Sequence, residues 1–153
     1  MYLAGLKDLH SGRIVGYAMA DHLRQSLVIQ ALEQALQTRR PRPGLIGHSD
    51  RGSQYCARDY QRRLHQYGLQ PSISRRGNCY DNCYDNAPME SFWGTLKTEL
   101  VHQNRCKTRQ QAIARITEYI ELFYNRQRLQ TRLGYLSPAA FEQRFCQSQL
   151  GKT

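Results

Sequence analysis

Two carboxylates stand in settings suited to metal-assisted chemistry. The run His48-Ser49-Asp50-Arg51-Gly52-Ser53-Gln54-Tyr55 places Asp50 just past a short apolar segment, Gly44-Leu45-Ile46-Gly47, that reads as a buried strand. Downstream, Asn86-Ala87-Pro88-Met89-Glu90-Ser91-Phe92-Trp93 opens a helix with an aromatic face, and Glu90 falls one turn into it. An acid at a strand end and an acid on a helix supply hard oxygen ligands of the kind that hold Mg2+ or Mn2+. Such ions activate phosphodiesters.

Helix geometry sorts the neighbours of Glu90. At 100° per residue Lys97 returns to within about 20° of Glu90, whereas Glu99 lands about 180° away. Lys97 is therefore expected beside the site and Glu99 off it. Asp8 lies beside a hairpin turn and reads as a turn residue. Cys79 and Cys83 arise from an immediate repeat of Cys-Tyr-Asp-Asn and have no second pair to complete a zinc site. Ser53 and Ser91 lack a His and Asp arrangement for nucleophilic catalysis. The repeat accounts for four of the 39 residues between Asp50 and Glu90. In a loop, that addition costs only about 0.3–0.5 kcal/mol of closure entropy.

The elements that must position these groups follow from periodicity. Residues 2–7 and 13–19 read as two strands joined at His10-Ser11-Gly12. Leu27, Val28, Ala31, Leu32, Ala35 and Leu36 predict a helix, ended by a segment with Pro41 and Pro43. Residues 57–67 predict a helix stopped by Gly68, residues 69–74 a strand, and residues 75–85 a loop. Asn86 would cap the next helix, with Pro88 in its first turn. Thr108 and Gln111 form a capping-box pattern before a long helix whose Ile113, Ile116, Ile120 and Phe123 make one core stripe. Ser137-Pro138 begins a short last helix through Phe141 and Phe145.

Composition suits one domain with a polyanionic partner. The chain has 153 residues, a net charge of +10 and 40% hydrophobic content, and 18 of its 22 basic residues are arginine. Basic clusters fall at Arg39, Arg40 and Arg42, at Arg62 and Arg63, at Arg75 and Arg76, and over residues 105–109. The competing reading is arginines solvated on an ordinary basic protein. Five cysteines, an odd number, suit reduced thiols in a cytoplasm. No apolar run approaches the roughly 18 residues of a membrane span, so no membrane partner is expected.

Five blocks carry a resemblance: YLAGLKDLHSGRIVGYAM, HSDRGSQY, SRRGNCYDN, NAPMESFWGTLKTEL and YNRQRLQTRLGYLSPAAFE. Over roughly residues 2–145 the chain resembles the catalytic half of a bacterial insertion-sequence transposase with a retroviral-integrase-type core. The resemblance implies an α/β ribonuclease-H-like fold in which an Asp, Asp, Glu triad holds two metal ions to cut and join DNA. Asp50 matches the second acid and Glu90 the third. The first acid belongs to a strand upstream of the block that here begins at Tyr2. Residues 1–146 are thus expected to form a core lacking its first strand, followed by a tail at 147–153. The implied cofactor is Mg2+ or Mn2+. The basic residue seven after the glutamate, here Lys97, contacts DNA in the family, and Arg51, Arg75 and Arg76 are further DNA-binding candidates. Transposon ends, target DNA and a second copy or a full-length transposase are the implied partners. The closing block departs from the family at Gln130, where histidine is usual. With one acid short, the chain is expected to be inactive in strand cleavage and transfer. The alternative is a non-catalytic remnant that binds DNA or another transposase.

Overall fold

Apolar residues at helical spacing set the first core. Leu27, Val28, Ala31, Leu32, Ala35 and Leu36 share one face of helix α1 (Gln25–Arg39), and all are buried. The computed structural model describes residues 1–50, 52–73 and 79–152, with residues 79–85 as backbone alone. It divides into two units, Met1–Leu6 with Val15–Trp93, and Lys7–Ile14 with Gly94–Thr153.

The first unit takes in most of the hairpin strands β1 (Tyr2–Lys7) and β2 (Ile14–Ala20), then α1 and strand β3 (Ile46–Ser49). Helices α2 (Ser53–Cys56) and α3 (Arg58–Gln66), strand β4 (Gln70–Ile73) and most of helix α4 (Cys79–Leu96) follow. β1 pairs with β2, while β3 pairs in parallel with β4, from Ile46 opposite Gln70 to Ser49 opposite Ile73. A parallel pair needs a crossover, which α2 and α3 supply. Tyr60 and Leu64 of α3 join Leu69, Ala4 and the α1 face in one apolar cluster. β2 meets α1 most closely at Gly16, where a Cβ would lie 2.2 Å from the Ala31 carbonyl oxygen and 2.7 Å from Ala35 Cβ. Only glycine lets the helix backbone rest this near the strand.

Mixed α/β content agrees with the sequence, but local expectations change. The segment before Asp50 is not buried: Leu45 is 54% and Ile46 63% exposed. Both lie outside the apolar cluster, and among the described residues β3 has a strand partner along one edge only. Residues 79–85 belong to α4 instead of a loop, so Pro88 lies inside the helix and Asn86 is not its cap. Proline's φ is already helical, so the chain continues through it at the loss of one hydrogen bond.

In the second unit, Asp8 builds the hairpin turn. Its backbone N–H donates to Arg13 O and its carbonyl accepts from Gly12 N, both at 2.8 Å. Its carboxylate accepts from His10 N at 2.9 Å and Ser11 Oγ at 3.0 Å. Asn125, 1% exposed, then grips Ile14: Oδ1 accepts from Ile14 N at 2.9 Å and Nδ2 donates to Ile14 O at 3.0 Å. The Asn125 carbonyl accepts from Ala139 N at 2.9 Å in helix α6 (Pro138–Leu150). The His10 ring stands edge-on to Phe141 and Phe145 of α6, and Arg13 pairs with Glu142 at 3.1 Å.

Helix α5 (Arg109–Glu118) starts as the capping pattern predicts, with Thr108 Oγ1 accepting from Gln111 N at 3.2 Å. The return bond from Gln111 Oε1 reaches Lys107 N at 3.0 Å, one residue before the box. Past Glu118 the chain winds as a π-type segment, Tyr119–Tyr124, which buries Tyr119, Ile120 and Tyr124. The wider turn breaks the 3.6-residue stripe. Ile116 and Ile120 are core, whereas Ile113 is 36% and Phe123 40% exposed. No helix among the described residues is long and apolar enough to cross a membrane.

Gly16→Ala drives a methyl group into helix backbone that cannot swing aside. We expect it to cost about 1–3 kcal/mol or more, read as a fall in Tm by circular dichroism.

Candidate metal centre

Asp50 is held by a turn that its own block builds. It directly follows β3, is exposed, and accepts a hydrogen bond at Oδ1 from Gly52 N at 2.8 Å. The Gly52 carbonyl in turn accepts from Tyr55 N at 3.0 Å and Cys56 N at 3.2 Å, starting α2. A Cβ at Gly52 would meet Gln54 Oε1 at 2.8 Å and Asp50 Oδ1 at 3.0 Å. Two side-chain oxygens therefore crowd one glycine. Gln54 is tethered by Nε2 to the Leu23 carbonyl at 3.3 Å, and Tyr55 stacks edge-on against buried Tyr60 at 5.4 Å. Burial, and then the Asp50 charge, push the Tyr55 hydroxyl pKa up. The negative charge of Asp50 thus reaches the part-buried Tyr55 hydroxyl in the same unit.

Glu90 occupies the same unit, exposed on α4. Its helix is seated by its neighbours. Phe92 is fully buried, and Met89 Cε and Trp93 Cη2 approach within 3.0 and 3.2 Å of where a Cβ at Gly5 would lie. Glycine at position 5 thus leaves β1 open to the aromatic face of α4.

Two exposed carboxylates on framed elements suit a hard divalent cation, and Asp50 keeps Oδ2 and a lone pair of Oδ1 for one. Among the described residues, no three His, Cys, Asp or Glu side chains gather as a metal-binding group. Lys97 is exposed and opens a π-type segment, Lys97–Val101, in the second unit. Arg51, Arg75 and Arg76 lie outside the described residues.

Integrase core domain models match residues 1–79 and 90–145. The chain belongs to the integrase core family. Among its relatives, the insertion element IS600 uncharacterized 31 kDa protein of Shigella sonnei is 55% identical over 147 residues, 96% of this chain and 53% of that protein. The transposase for insertion sequence element IS904 of Lactococcus lactis is 45% identical, covering 93% of this chain and 54% of the relative. Transposase InsF for insertion sequence IS3A of Escherichia coli is 41% identical, with 93% and 48% covered. This integrase-core chain thus spans about half the length of the curated relatives it matches.

One acid of the Glu90 block has a different assignment. Arg128 donates to Glu99 through Nη2 at 2.8 Å and Nε at 2.9 Å, and the Tyr119 hydroxyl donates to Oε2. Sequence spacing alone did not single out this trio. Burial would raise the Glu99 pKa, but the hydrogen bonds from Arg128 and Tyr119 and the Arg128 charge outweigh it and hold it below 4.5. A depressed carboxyl stabilises the fold fully above its unfolded pKa, and that contribution is lost as pH falls through the folded value. Glu99→Gln should therefore lower Tm near neutral pH, with the gap to wild type closing as pH drops below 4.5. Paired thermal melts from pH 7 to pH 3, on the scale of ordinary carboxyl titration, check this.

Proposed function

We propose that this chain is catalytic-core material of an insertion-sequence transposase, with a ribonuclease-H-like arrangement that binds DNA and holds Mg2+ or Mn2+ at Asp50 and Glu90. The observation that supports it most is the Asp50 corner, where β3, Gly52 and α2 present an exposed carboxylate in the same unit as Glu90. An ion bound there would supply Lewis-acid activation of a water or a DNA 3′ hydroxyl. Asp50 and Glu90 would orient the phosphodiester through that ligation, while Lys97, Arg51, Arg75 and Arg76 would each contact DNA phosphates. A third carboxylate on a strand between β1 and β3 would join the two sheets and complete the two-ion arrangement. With Asp50 and Glu90 alone, strand cleavage and joining would be lost by orders of magnitude.

A second reading is a DNA-binding or transposase-binding remnant without chemistry. It is favoured by the absence of a three-ligand group among the described residues. Mn2+ separates the two. On the first reading, Asp50→Asn should weaken Mn2+ binding tenfold or more by calorimetry, whereas Asp59→Asn, whose carboxylate pairs with Arg62, should not. Equal affinity in wild type and Asp50→Asn would leave only the second.

The first reading and the DNA-binding form of the second expect DNA binding from a +10 chain. On a 20-base-pair duplex of arbitrary sequence, log affinity should fall with log salt by about 0.9 per phosphate neutralised. A folded sample that shows no salt-dependent binding at low ionic strength would contradict both of these and leave only a transposase-binding remnant.

A further inference from the structure

The Asp50 corner of the first unit holds a second oxygen donor, the side-chain amide of Gln54. Its helix, α2, is four residues long and is held from two sides. Gln61 Nε2 donates to the Tyr55 carbonyl at 2.8 Å, and Gln54 Nε2 donates to the Leu23 carbonyl at 3.3 Å. The segment that carries Leu23 is tied down just beyond it, where Gln25 Nε2 donates to Asp59 Oδ2 at 3.2 Å.

The bond to Leu23 decides which end of the amide faces Asp50. With Nε2 committed to a carbonyl, Oε1 is left on the side of Gly52, 2.8 Å from the position a Cβ would take there. Asp50 Oδ1 lies 3.0 Å from that same point. Turning the amide over would set its oxygen against the Leu23 carbonyl, acceptor against acceptor.

Two acceptor oxygens thus lie within 3.0 Å of one point that a side chain at position 52 would fill and that glycine leaves open. Among the described residues, the donor given to this pair is the Gly52 N–H, and it goes to Asp50. Acceptors gathered in this way repel until a further donor or a cation joins them. An amide oxygen is a hard donor of the kind that joins carboxylates around Mg2+ or Mn2+. It adds a ligand without adding charge, and so without the repulsion that another carboxylate would bring beside Asp50.

We propose that Gln54 Oε1 is a further ligand of the divalent cation at Asp50, so that one turn of chain supplies both a charged and a neutral oxygen. The proposal rests on the metal-binding reading of Asp50, which the Asp50→Asn arm of the experiment judges separately.

Mn2+ affinity is measured by calorimetry on the whole chain for wild type, Asp50→Asn, Gln54→Met and Gln54→Glu, each shown folded by its melting curve. Methionine keeps the length of glutamine without the oxygen, whereas glutamate keeps an oxygen and, like methionine, loses the donor to Leu23. Gln54→Met should weaken Mn2+ binding about tenfold, and Gln54→Glu should bind at least as well as wild type. In parallel, the Gln54 side-chain amide nitrogen signal is followed by NMR during Mg2+ titration. It should move in wild type and stay in place in Asp50→Asn, while that of Gln61, whose amide serves the Tyr55 carbonyl, stays in place in both. Equal weakening by Gln54→Met and Gln54→Glu assigns the residue to holding α2 and overturns the proposal. Wild-type affinity in Gln54→Met, or an amide signal indifferent to Mg2+, overturns it too, even where Asp50→Asn binds weakly and the metal-binding reading stands. Unchanged affinity in Asp50→Asn removes that reading and this ligand with it. If a Gln54 variant does not fold, the wild-type amide signal decides.

Discussion

The second unit depends on a single buried amide. Asn125 presents one acceptor and one donor to the N–H and C=O of Ile14, as a neighbouring strand would. Its own carbonyl receives Ala139 N–H from α6. The two buried backbone groups of Ile14 are satisfied by one side chain, and each would cost about 1–3 kcal/mol if orphaned. No other side-chain type of similar size offers a donor and an acceptor in one plane at this length. The ring contacts of His10 with Phe141 and Phe145 and the Arg13–Glu142 pair then have a fixed turn to pack on.

The first unit rests on close approach instead. Gly16 admits α1 to the hairpin, Gly5 admits the aromatic face of α4, and Gly52 lets Asp50 and Gln54 share a corner. The two carboxylates of interest stand on elements seated by glycine rather than on long free loops. The two strand pairs, however, are not joined into one sheet among the described residues. The apolar Leu45 and Ile46 remain in water where a covered strand would be dry.

Much of this was legible in the residues. The hairpin strands and their turn, the α1 face, the Gly68 stop and the Thr108 and Ser137 caps follow local rules, because each is decided by a few neighbouring residues. What escaped was decided at longer range or by a change of helical period. The stripe from Ile113 to Phe123 fails because a π-type segment begins at Tyr119. Helix α4 begins upstream of Asn86 and Pro88 because both residues, common at helix starts, are also tolerated where the helix runs through them. Of the candidate site, the strand-end setting of Asp50 and the helical setting of Glu90 could be read from spacing. The Glu99, Arg128 and Tyr119 trio could not, since its members are 20 and 29 residues apart. The Asn125 grip spans 111 residues and has no local signature at all.

The hairpin turn at His10-Ser11-Gly12 inverts a habit of protein engineering. Turn tips are usually where a chain tolerates a tag, a linker or new termini, because they stand in solvent. Here Ser11 and Gly12 are buried, and the residues on either side carry Lys7, Arg13 and Ile14 to their partners in the second unit. Extra sequence at this point would part the grip of Asn125 from the strand it holds. The stretch at residues 102–107, mostly exposed and between helices, is the better place to open the chain.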